Sequence, residues 1–195
     1  MKIAARLAIA ICLAALLPAA AEAHPALYHH THGFAAGVLH PLTGLDHLLA
    51  MISVGLWASQ KGGRALWAWP CAFMGAMILG GALGMEGVSF PLIEPMIAAS
   101  LLVLGVMIAS TATLPGWASA GLIALFGLFH GNAHGLEAPA SNAGLLYGLG
   151  FVLSTGLLHV AGLGMGRGAQ RVHFQPAIRG AAAMVAVVGG TLLFV

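Results

Sequence analysis

The chain has 195 residues, of which 60% are hydrophobic and 6% are charged, with a net charge of +2 at pH 7. A soluble domain carries about 25% charged residues, so seven basic and five acidic residues exclude a soluble globular protein and indicate one whose main solvent is the lipid bilayer. The low charge, without a basic run that contains aromatic residues, also excludes a nucleic-acid-binding protein.

The first predicted element is a secretory signal peptide over residues 1–23. Lys2 and Arg6 give it a positively charged start, and an apolar core of about 11 residues follows, shorter than the roughly 20 that span a bilayer. Ala21 and Ala23 then supply the small residues of a cleavage site. The alternative is an uncleaved signal anchor, which would add one membrane span.

The next predicted element is a histidine-rich periplasmic segment over residues 24–33. A cluster of histidines in a short polar segment is typical of metal binding. After cleavage, His24 would offer a free α-amine beside its imidazole, which together can chelate a metal ion. A solvated segment without a defined site is the alternative. The histidines are His24, His29, His30 and His32.

Six apolar stretches predict an all-α domain of six transmembrane helices over residues 34–195. Each stretch is long enough to cross a bilayer at about 1.5 Å per residue. The short connections between them indicate one helical bundle without a separate soluble domain. The predicted spans are 34–58, 64–84, 92–112, 116–137, 143–165 and 177–195.

The positions of the charged residues predict the orientation of this bundle. The basic residues of the mature chain follow the first and fifth spans, and positively charged loops remain in the cytoplasm. We therefore place both the mature N-terminus and the C-terminus in the periplasm of a bacterial inner-membrane protein. The basic residues are Lys61, Arg64, Arg167, Arg171 and Arg179.

Two internal patterns concern the assembly of the helices. Two halves of three spans would run in opposite directions, as in inverted-repeat transporters, so the layout is compatible with a 3+3 inverted repeat. Glycines four residues apart predict close packing between helices in lipid. These pairs are Gly33 and Gly37, Gly80 and Gly84, Gly144 and Gly148, and Gly162 and Gly166.

The first polar motif, HPLTGLDH, lies in the first span. On a straight helix His40 and His47 would be about 10 Å apart, too far to share one ion at about 2 Å. Pro41 and Gly44 can kink or unwind the helix between them. Asp46 adds a carboxylate that costs roughly 2.5–3.5 kcal/mol within a membrane, so we expect a metal site. The alternative is a pair of histidines bonded to their helix neighbours.

The second polar motif, FHGNAHGLEAP, ends the fourth span. His130 and His134 are four residues apart, which places two imidazoles on one helix face. Glu137 continues this face, and the two motifs are predicted to meet in the outer half of the bilayer. A helix-end cluster that faces water is the alternative.

Three weaker candidates complete the predicted metal site. Met51 follows His47 by one turn, Glu94 would line an entrance, and His159 would bind the ion later on its path. For each of these, ordinary packing or solvation is the alternative. Imidazole and carboxylate ligands suit nickel, cobalt, zinc, copper or iron, whereas magnesium and calcium prefer oxygen alone.

The two motifs, the leader followed by His-Pro and the six-span layout resemble the HupE/UreJ family of hydrogenase and urease accessory permeases. The resemblance implies a protein that is not an enzyme, holds no prosthetic group and imports Ni²⁺ or Co²⁺. Three alternatives remain open: a permease for another divalent metal, an intramembrane zinc-dependent hydrolase, and a membrane metal binder that does not transport. A homo-oligomer is also compatible with the sequence. The resemblance implies functional roles for His40, Asp46, His47, His130, His134 and Glu137.

Overall fold

The computed structural model describes residues 33–139 and 142–194, in which every regular element is an α-helix. A helix satisfies its backbone polar groups internally, as a segment in lipid must. The predicted signal peptide and residues 24–32 of the histidine-rich segment lie outside the described residues. The helices are α1 (Phe34–Thr43), α2 (Leu45–Lys61), α3 (Ala65–Met85), α4 (Ile93–Ser110), α5 (Gly116–Glu137), α6 (Asn142–Arg171) and α7 (Gln175–Leu192).

The first predicted span is divided into two helices at Gly44. Pro41 lies near the end of α1, and Gly44 has an extended backbone with φ −82° and ψ 111°. The axis of α2 turns 84° away from that of α1. The predicted interruption between Pro41 and Gly44 is therefore confirmed, and the predicted span 34–58 is a bent pair of helices.

Helix α6 continues six residues beyond the predicted end of its span, to Arg171. Its last turns pack against the end of α2, where Gln170 Nε2 donates a hydrogen bond of 3.1 Å to the carbonyl of Ser59. Gly166 lies against the Ser59 side chain. Contact between helices, rather than hydropathy, accounts for this extension.

Helices α3, α4 and α6 are long and apolar enough to cross a membrane, and the bent α1–α2 pair forms a fourth such segment if it counts as one span. Helix α5 has 22 residues but carries the polar second motif. Helix α7 has 18 residues and begins with Gln175 and Arg179 in its first two turns. These polar residues lower the hydropathy of α5 and α7, and the six-span layout stays a prediction.

The distribution of side chains is that of a membrane protein. Large apolar side chains face outward, with exposed fractions of 63% for Trp67 and 63% for Val160. In the interior, His130 and His159 are 0% and 1% exposed. A soluble protein reverses this arrangement, so the described part of the chain is an all-α membrane bundle.

Glycines bring the most extensively paired helices together. Gly80 of α3 lies against the backbone of Leu128, and Gly131 of α5 lies against that of Met77. A Cβ atom at either glycine would overlap a carbonyl oxygen. The packing role predicted for Gly80 is confirmed, whereas that predicted for Gly148 is wrong, because a Cβ atom there would meet nothing within 4 Å.

The basic residues within the described part of the chain lie toward one end of the bundle. Gln60, beside Lys61, donates a hydrogen bond of 3.2 Å to the carbonyl of Ile108, and Arg179 Nε donates one of 2.7 Å to the carbonyl of Ala109. These contacts join the end of α2 and the start of α7 to the end of α4. We call this the basic end, and we call the opposite end, where α5 ends and α6 begins, the histidine end.

Candidate metal site

Three side chains meet at the histidine end. Glu137 Oε2 lies 3.8 Å from Nε2 of His40 and 3.7 Å from Nδ1 of His134. One ligand atom from each residue lies within 4.8 Å of the others. Two ligands of one ion at about 2.1 Å are about 3–3.5 Å apart, so small movements would let all three bind the same ion. The side chains of His40 and Glu137 are 31% and 38% exposed, which makes this group accessible from outside.

From this group, a row of imidazoles continues into the interior. The ring centroids of His40 and His134 are 4.7 Å apart, and those of His134 and His47 are 4.3 Å apart. His130 follows at 4.9 Å from His47. The 84° turn at Gly44 brings His47 back toward α5, so the two motifs face one another. We call these four histidines, with Asp46 and Glu137, the histidine cluster.

Asp46 determines which nitrogen of His47 is available. The Nδ1–H of His47 donates to Asp46 Oδ1 at 2.7 Å, and the His47 backbone N–H donates to the same oxygen at 2.8 Å. The lone pair of the ring is therefore on Nε2. This atom is buried and has no hydrogen-bond partner within residues 33–139 and 142–194. A carboxylate that orients a metal-binding histidine commonly uses this geometry, whereas the sequence predicted Asp46 as a ligand itself.

Ser100 of α4 determines which nitrogen of His130 is available. The Ser100 hydroxyl donates its single proton to the carbonyl of Ile97 at 2.6 Å, so its oxygen must accept the hydrogen bond of 3.0 Å from Nε2 of His130. The lone pair of His130 is then on Nδ1, which is buried and unpartnered among the described residues. His47 and His130 thus each hold one buried nitrogen in the form that binds a metal ion.

Aromatic side chains of α6 form one wall of the cluster. Phe151 lies 4.2 Å from His134 between ring centroids, and Tyr147 lies 5.8 Å from His40. These apolar rings exclude water, and electrostatic interactions become stronger as water is removed. The buried Tyr147 hydroxyl has no hydrogen-bond partner within the described chain. Sequence analysis missed this wall, although the i, i+4 spacing of Tyr147 and Phe151 places both rings on one helix face.

Asn132, between the two histidines of the second motif, has a structural role. Its Oδ1 accepts the backbone N–H of Phe90 at 3.0 Å. Its Nδ2 donates to the carbonyls of Val88 at 2.7 Å and Gly80 at 3.3 Å. It therefore joins α5 to α3 and to the loop that precedes α4.

The weaker sequence candidates lie outside the histidine cluster. Glu94 is exposed in the first turn of α4. Met51 and His159 are buried; Met51 lies one turn after His47 in α2, and His159 lies two turns after Phe151 in α6. The remaining candidates, His24, His29, His30 and His32, lie outside the described residues.

Comparison with known proteins identifies the family. The profile described as HupE / UreJ protein matches residues 11–192. The chain belongs to the HupE/UreJ family. It is similar to Protein HupE of Rhizobium leguminosarum bv. viciae, with 41% identity over 186 residues that cover 95% of this chain and 96% of that protein. No solved structure matches the chain.

Membership in the HupE/UreJ family confirms the resemblance found in the sequence. The family consists of membrane-associated transport and accessory proteins, and the chain is not an enzyme. The intramembrane zinc-dependent hydrolase that the ligand types left open is therefore excluded.

Proposed function

We propose that this HupE/UreJ protein imports Ni²⁺ across the bacterial inner membrane for the maturation of a hydrogenase or urease, with Co²⁺ as the alternative cargo. The metal ion is the substrate, and no prosthetic group is required. One observation carries the proposal: two motifs about 90 residues apart in sequence form a single row of imidazoles that begins at an accessible carboxylate and ends in the interior.

The donor chemistry of the histidine cluster supports a divalent transition metal. Imidazole nitrogens and carboxylate oxygens suit nickel and cobalt, whereas magnesium and calcium prefer oxygen alone. The carboxylates of Glu137 and Asp46 offset part of the charge of a dication. The ion would first contact His40, His134 and Glu137, and would then pass to His47 and His130.

The membrane potential can drive this import. Neither lysine of the chain, Lys2 or Lys61, precedes a serine or threonine, so the sequence has no phosphate-binding Walker A loop. A dication that moves inward down 100 mV gains about 4.6 kcal/mol, twice the value for one charge. This free energy corresponds to a roughly thousandfold accumulation of the metal ion inside the cell. A passive facilitator is therefore sufficient for import.

The proposed topology places the histidine end in the periplasm and the basic end in the cytoplasm, according to the positive-inside rule. The leader, residues 1–23, is removed, and residues 24–33 collect metal ions in the periplasm. The bent α1–α2 pair and helices α3 to α7 would form six spans, with the C-terminus in the periplasm.

Helix pairing supports an inverted 3+3 repeat. The most extensive pairings are α3 with α5, α1 and α2 with α6, and α4 with α7. An exchange of the first half, α1 to α4, with the second half, α5 to α7, makes the α1–α2 pair correspond to α5, α3 to α6 and α4 to α7. Under this exchange the pairing of α3 with α5 becomes the pairing of α6 with α1 and α2, and the pairing of α4 with α7 is unchanged. Inverted repeats of this kind place the substrate site between the two halves, as the histidine cluster is placed between α1–α2 and α5.

Radioactive nickel uptake by cells tests the proposal. His47→Ala removes a cluster imidazole, and His173→Asn serves as the matched control, because His173 is an exposed loop residue with a positive φ that asparagine tolerates. We expect wild type and His173→Asn to import nickel at equal rates and His47→Ala to lose uptake. Equal uptake by all three proteins at equal membrane levels would overturn the proposal, and competition with cobalt would identify the preferred cargo.

A further inference from the structure

A second group of donor atoms lies beyond the histidine cluster, toward the basic end. It contains two thioethers, one hydroxyl and one imidazole, all of them in the interior of the bundle. The exposed fractions are 0% for Met51, 2% for Met77, 0% for Thr155 and 1% for His159. No carboxylate belongs to this group, which distinguishes it from the cluster.

The Thr155 hydroxyl brings the two sulfur atoms together. Its Oγ1 lies 3.3 Å from Sδ of Met51 on α2 and 3.8 Å from Sδ of Met77 on α3. Met51 follows His47 by four residues, so it lies on the same face of α2, one turn deeper. The sulfur atoms therefore continue the row of ligands that the imidazoles begin.

His159 lies one turn beyond Thr155 on the same face of α6. Both of its ring nitrogens are buried, and neither has a hydrogen-bond partner among the described residues. A buried polar group is nearly always bonded to protein, water or an ion. The ring of Phe73 lies 5.2 Å from His159 and 5.6 Å from His130, which places His159 one aromatic ring beyond the cluster.

We propose that Met51, Met77, Thr155 and His159 form an inner metal site, to which the ion passes from the histidine cluster. The inner site rests on the transport function proposed above. Thioethers are softer ligands than carboxylates and favour late transition metals over magnesium and calcium. Because all four donors are neutral, the inner site holds a dication more weakly than the cluster does, and an ion in transit must be released.

Helices α2 and α6 are in backbone contact immediately beyond this site. Gly55 of α2 lies against the carbonyl of His159, and Gly162 of α6 lies against the carbonyl of Ile52. Backbone contact at these two glycines leaves no room for an ion between the helices. An ion at the inner site can therefore move on between these helices only after α2 and α6 separate.

Nickel X-ray absorption of purified protein that carries selenomethionine tests the ligands directly. We expect selenium among the neighbours of bound nickel in wild type, and loss of at least half of that signal in Met77→Leu. Met107→Leu is the matched control, because Met107 is also a buried core methionine, on α4. The absence of selenium among the neighbours of bound nickel at saturating nickel would overturn the inner site. His159 would then be a buried histidine bonded to water.

Nickel uptake provides the second readout. Met77→Leu and His159→Leu should each lower the initial rate roughly tenfold or more, because even the loss of an outer-shell partner of a metal ligand commonly costs about 10–100-fold, while Met107→Leu should match wild type. If uptake requires His47 but is unchanged in both inner variants, the inner site is refuted and the permease stands. If wild type transports no nickel but selenium contacts the bound ion, the site stands and the transport proposal fails.

Discussion

Replacement of Ser100 by alanine would test whether the hydrogen bond to His130 fixes the nitrogen that binds metal. The substitution removes the only acceptor found for the Nε2–H of His130 within the described residues, 3.0 Å away. An unsatisfied buried donor costs about 1–3 kcal/mol, and His130 can avoid this cost by changing its tautomer or rotating. Loss of such a partner commonly lowers metal affinity or activity 10–100-fold. We therefore expect the apparent affinity for nickel to fall by roughly 10–100-fold.

The initial rate of nickel uptake, measured over a range of concentrations, separates affinity from maximal rate. Ser119→Ala is the matched control, because Ser119 is also buried and its hydroxyl donates only to the carbonyl of Pro115, at 3.4 Å. Ser100→Thr keeps the hydroxyl and should retain more affinity than Ser100→Ala. Nitrogen NMR of labelled imidazoles should report the Nε2–H tautomer of His130 in wild type and its loss in Ser100→Ala.

Wild-type nickel affinity in Ser100→Ala, with the His130 tautomer unchanged, would refute this reasoning. An equal loss in Ser119→Ala would assign the effect to general packing rather than to the hydrogen bond.

Three further predictions follow from the same geometry. Asp46→Asn keeps an oxygen that can accept the Nδ1–H of His47 but removes the charge, so nickel uptake should fall less than in Asp46→Ala; equal losses would show that orientation is unimportant. Gly131→Ala forces a methyl group against the carbonyl of Met77 and should cost about 1–3 kcal/mol of stability in detergent, whereas Gly148→Ala, which meets nothing within 4 Å, should not destabilise the protein. Nickel uptake at constant membrane potential should decrease as the medium is acidified, because a proton and a metal ion compete for the same imidazole nitrogen; uptake that stays constant at every pH where the protein remains folded would argue against imidazole ligands.

The meeting of the two motifs could be predicted from the sequence because each contains its own structural signal. Pro41 and Gly44 interrupt a helix for reasons of backbone chemistry, and the four-residue spacing of His130 and His134 fixes a common face on α5. Charged and polar groups within a membrane also require a function that outweighs their cost. These arguments depend only on neighbouring residues, so they hold in the folded protein as they do in the sequence.

The partners of the histidines could not be predicted, because they come from distant parts of the chain. Ser100 lies 30 residues from His130 in an apolar helix, and no local pattern distinguishes it from a serine that packs in the core. The pairing of α2 with α6 likewise depends on tertiary contacts. It accounts for the extension of α6 to Arg171 and for the meeting of Met51 with Thr155.

Nickel flux into vesicles that contain only the purified protein tests the central proposal most directly. With an inside-negative potential imposed, wild-type protein should admit radioactive nickel faster than protein-free vesicles, and His134→Ala should abolish the difference. A wild-type flux no greater than that of protein-free vesicles, or an undiminished flux in His134→Ala, would contradict the proposal that the histidine cluster carries the ion through the membrane.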